Sequence, residues 1–160
     1  MSASAICFCS VVVFLIAFGA ITYYDWTINL EFEREIEVHF EYADRASDAG
    51  VKAAEFNKFI AALEEHELTK GPTSKLFQEQ PNSQLDLNYQ AAKSLQKRLN
   101  ELASLDPLSD AYQYGMRQVT TQEFCWFPIQ AFKDAYSLRH GGILYPLTPG
   151  GARDLCHTSD

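Results

Sequence analysis

Cys125 sits in the most chemically loaded stretch of the chain, Gln122-Glu123-Phe124-Cys125-Trp126-Phe127-Pro128, with His140 following in the sequence. A cysteine within reach of a histidine would be a thiolate nucleophile with its base. Its aromatic neighbours argue the other way, because apolar burial raises a thiol's pKa, and the spacing matches no known Cys-His geometry. Inert packing is the better reading of Cys125, and no catalysis is expected. His39, His66, His140 and His157 are scattered, and there is no HExxH, no paired CxxC and no CxxCH. Cys156 and His157 adjoin, but neighbouring side chains seldom converge on one ion. No metal, haem or other cofactor is therefore expected.

Glu31, Glu33, Glu35, Glu37 and Glu41 raise a cation-binding idea. Calcium sites need carboxylates converging from a turned loop, whereas alternate residues of a strand point in parallel. A solvated face is the plainer reading. Neither a glycine-rich phosphate loop nor GxSxG is present. The formal charge of −8, with no basic stripe, gives nucleic acid no electrostatic footing.

Two features point to binding rather than chemistry. The last third of the chain is dense in aromatic residues, and Tyr112, Trp126, Phe127 and Tyr136 are candidates for a protein interface, since interfaces favour aromatic anchors. The alternative is a core built from the same rings. Cys125 and Cys156 are a candidate disulfide for an oxidising compartment, closing a loop of about 30 residues worth roughly 3 to 4 kcal/mol. The other outcome is a buried free Cys125 and an incidental Cys156.

The element that must position all of this is AICFCSVVVFLIAFGAITYY, from Ala5 to Tyr24, which holds no charged side chain. As a helix it covers about the 30 Å of a bilayer's hydrocarbon core. Ala17-Phe18-Gly19 also suits a signal peptidase, but Met1 to Ser4 lacks the basic n-region of a signal peptide. Tyr23, Tyr24 and Trp26 would form the aromatic belt of a helix that stays in lipid. The flank beyond carries Asp25, Glu31, Glu33, Glu35 and Glu37 against Arg34 alone, which favours the bulk of the chain outside the cytoplasm, with a cytoplasmic domain as the alternative. Ala5 and Cys9 form a weak small-residue pair where another helix could approach.

Beyond the anchor, Trp26 to Tyr42 has large apolar residues at 26, 28, 30, 32, 36, 38, 40 and 42. That period of two predicts a strand, or a hairpin turning at Glu33-Arg34-Glu35. A helix running straight out of the membrane is the alternative. From Ser47 or Asp48 a helix is expected with Val51, Ala54, Phe56, Phe59, Ile60 and Leu63 on its apolar side, stopping at Lys70-Gly71-Pro72. Thr73 to Leu87 reads as a loop that tucks Leu76 and Phe77 into the core. Asn88 to Ser104 is a helix with Ala92, Leu95, Leu99 and Leu102 inward. Asp106-Pro107 restarts a third helix through Tyr112, Met116, Val119 and Trp126, which Pro128 breaks. A fourth spans Ile129 to Arg139.

The expected architecture is mainly α: a transmembrane anchor at 1–25, a soluble bundle of about four helices at 26–142 with a strand or hairpin at 27–42, and an irregular tail at 143–160. The expected role is that of a single-pass, signal-anchored interaction protein, non-catalytic, an accessory subunit or scaffold. Its partners are membrane lipid and another membrane protein or itself. A small-molecule binding or sensing module and an envelope enzyme are the alternatives.

Overall fold

The computed structural model describes residues 3–71, 85–124 and 127–142, with backbone alone at 3–9, 122 and 123. In chain order they form α1 (Ala3–Phe32), a π-helical turn (Glu33–Glu37), α2 (Val38–Arg45), α3 (Ala49–Glu65), α4 (Leu85–Ala103), α5 (Asp110–Gln118), a second π turn (Val119–Phe124) and α6 (Ile129–Arg139). The molecule is mainly helical, and no strand occurs among the described residues.

The strand or hairpin expected at 27–42 is thus a helix, and burial explains the misreading. Of its eight large apolar residues, Ile28, Phe32, Ile36 and Phe40 are buried, while Trp26 and Tyr42 are exposed. A period of two contains a period of four. On an ideal α-helix each four-residue step drifts by about 40°, so Ile28 to Phe40 would turn by about 120°. The π turn adds one residue to the circuit and takes back about 100°, which returns all four side chains to one face. The backbone stays right-handed helical through both junctions.

From Arg45 the chain turns through Ser47, and Asp48 caps α3 by accepting a hydrogen bond from the Val51 amide at 3.0 Å. The inward face of α3 is Ala49, Lys52, Ala53, Phe56, Phe59, Ile60 and Leu63, whereas Val51 and Ala54 face outward. Positions 52 and 53 lie four and three residues before Phe56 and share its side; 51 and 54 do not. The helix ends at Glu65, ahead of the expected stop at Gly71. Glu67 adopts a left-handed φ of 56°, its amide reaches the Glu64 carbonyl, and the Leu68 amide reaches the Leu63 carbonyl at 2.7 Å. This Schellman closure keeps Leu63 and Leu68 together in the core.

Side-chain pairs fix the packing order. Glu55 meets His39, and Lys52 meets the end of α2, so α3 runs antiparallel to α1 and α2. Glu64 meets Tyr89 and Lys93, while Asn57 meets Gln96 and Asn100, so α4 runs antiparallel to α3. Helix α6 returns beside α1, with Lys133 at Glu33 and His140 at Tyr24. Helix α5 does not begin directly after Asp106-Pro107. Those residues form a turn closed from the Ser109 amide to the Asp106 carbonyl, and the Ser109 hydroxyl caps the helix. Helix α6 runs from Ile129 to Arg139 and is closed by Gly141, φ 79°, beyond which the Gly142 amide reaches the Ser137 carbonyl.

The centre is aromatic. Phe40 lies 4.8 to 6.3 Å, centroid to centroid, from Phe56, Phe59, Phe124 and Phe127, and Phe132 packs on Phe59 and Phe127. The second π turn serves this cluster. Val119 and Phe124 are both buried five residues apart, a spacing that matches an i to i+5 turn.

Candidate functional site

One N-terminal helix is long and apolar enough to span a membrane. Val11, Val13, Phe14, Leu15, Ile16 and Phe18 are all exposed, Phe14 to 68%. Among the described residues, nothing covers them. Exposure of this kind continues to Tyr23, Tyr24 and Trp26, and the helix enters the bundle at Asp25 and Ile28, both buried. The Tyr24 hydroxyl donates to the His140 carbonyl at 2.8 Å, which ties the entry point to the last turn of α6.

The aromatic candidates occupy different places. Tyr112 is buried and its hydroxyl accepts from the Ala49 amide at 3.0 Å, joining the starts of α5 and α3. Tyr136 is buried against Phe32 and stacks on His140. Phe127 is half-buried in the phenylalanine cluster. Trp126, Cys125 and Cys156, and with them the disulfide, lie outside the described residues, as do Leu76, Phe77, Tyr145, His157 and the side chains of Ala5, Cys7 and Cys9.

The carboxylate ladder is divided by its helix. Glu33 and Glu37 fall on one flank of the buried Phe32–Ile36 line, where Lys133 of α6 meets them at 2.6 and 3.6 Å. Glu31 and Glu35 fall on the other flank, where His66 reaches Glu35 at 3.2 Å. Glu33, Glu35 and Glu37 therefore tie the π turn to α6 and to the end of α3, while Glu41 pairs with Arg45 of its own helix. No group of three or more His, Cys, Asp or Glu suited to a metal ion occurs among the described residues. The Tyr136 hydroxyl lies at this seam and makes no hydrogen bond of normal geometry. Burial, then the charges of Glu31 and Glu35, push its pKa up to about 12, so the phenol stays neutral.

Lys52 is the least expected residue in the molecule. It is 0% exposed, and its ammonium donates to the Ala43 carbonyl at 2.6 Å and the Asp44 carbonyl at 3.0 Å. It also stands 4.2 Å over the Phe124 ring. Burial lowers its pKa, and the Asp44 charge partly restores it. A cation at the carbonyl end of α2 is favourably placed for the helix dipole. Perturbed lysines can mark active sites, but two of this ammonium's three donors are spent on backbone carbonyls, and the role is that of a cap. Its position four residues before Phe56 was the one available sign.

The chain matches no known protein family, no curated protein and no solved structure at a significant level.

Proposed function

We propose that this chain is a single-pass membrane-anchored interaction protein, an accessory subunit or scaffold of a membrane-associated assembly that performs no chemistry of its own. The observation that carries the reading is the exposed apolar helix that passes into the core without a linker. From Ala3 to Tyr24 it measures about 33 Å, close to the hydrocarbon thickness, and it ends in the exposed rings of Tyr23, Tyr24 and Trp26. A buried Asp25 and a tyrosine bound to α6 follow at once, so the domain is held close to the bilayer and turns with its anchor. The acidic flank favours an extracytoplasmic domain.

The test is purification of the full-length chain from its native membrane in mild detergent, with co-purifying chains identified and the particle mass measured. A stoichiometric partner, or a second copy of the chain, is expected. A monomer that survives gentle solubilisation overturns the subunit reading. Protease treatment of intact cells reads the orientation, and a domain protected until the membrane is opened refutes the extracytoplasmic placement.

A further inference from the structure

We draw no further inference here: the strongest candidate, the side-chain cluster of Glu31, Glu35, His66 and Tyr136 where α1 meets the ends of α3 and α6, belongs to the interhelix ties already described and, among the described residues, forms no group suited to a metal ion.

Discussion

Lys52 gives the sharpest quantitative expectation. Replacing it by alanine removes two charged hydrogen bonds to carbonyls, the contact over Phe124 and the packed four-carbon stem. The hydrogen bonds to a charged donor are worth about 1.5 to 3 kcal/mol each in isolation, and the ring contact about 1. Ala43 retains a second donor in the Ala46 amide at 3.3 Å, so part of the capping survives. The missing stem adds about 2 kcal/mol of lost transfer and cavity. Against these stands the relief of desolvating a buried ammonium, several kcal/mol in the other direction. The expected balance is a loss of about 4 kcal/mol for Lys52→Ala and about 2 for Lys52→Met, which keeps the stem and loses the charge.

Denaturant unfolding of the full chain in detergent micelles, followed by circular dichroism, separates the two. A pH series adds an independent sign. Because burial lowers the folded-state pKa of Lys52, the unfolded chain binds the proton more tightly. Stability therefore rises with pH from that lowered value towards 10.5, and the wild-type advantage over Lys52→Met grows along the same window. A Lys52→Met protein as stable as wild type at neutral pH would refute the capping argument, since the bonds to the Ala43 and Asp44 carbonyls would then add nothing that a methionine stem lacks.

Tyr136 has the opposite slope: the unfolded phenol ionises near 10 and the folded one near 12, so stability falls by about 2 to 3 kcal/mol between those pH values. Tyr136→Phe should abolish that slope in matched alkaline unfolding series, and an unchanged slope would assign it elsewhere. Glu67→Gly should stabilise by about 1 kcal/mol, because glycine adopts the left-handed Schellman position without strain and the bond from Arg139 to Glu67 is largely exposed; a lower thermal midpoint would contradict this. Deleting Arg34 should convert the first π turn to regular α-helix and leave Ile28, Phe32, Ile36 and Phe40 within about 30° of one line. The deletion should keep the fold by circular dichroism, whereas deleting Val38 as well should turn the faces apart and unfold it.

Much of the bundle is legible residue by residue. Ala92, Leu95, Leu99 and Leu102 recur at three and four, and they are the inward face of α4. Pro128 and Gly141 bound α6 where proline and glycine punctuation requires. What could not be read depends on partners distant in sequence. Nothing local marks Glu33 and Glu37 for Lys133, a hundred residues away, or tells that a lysine beside Phe56 would cap the helix before it. The Glu67 closure was hidden for a different reason. Glycine is the usual occupant of such a position, and Gly71 offered a conventional stop a few residues on.

The stretch from Trp26 to Tyr42 shows why periodicity alone divides there. Alternate apolar residues describe a strand, yet the same letters contain a four-residue repeat that a helix can bury if one turn is underwound. A repeat of 3.6 would need Phe32 and Ile36 to be joined by an apolar residue at 29 or 39, and Asn29 and His39 stand there. The glutamates between the core positions settle which outcome is stable. As a strand they would form one unbroken row of like charge; around a helix they divide to two flanks, one met by Lys133 of α6 and the other by His66 at the end of α3. The π turn that makes this division work also sets the rotation of everything before it. Because no linker separates Phe32 from the apolar run, the direction in which each side of α1 faces at Val13 or Phe14 is fixed by the register in which Phe32, Ile36 and Phe40 enter the core.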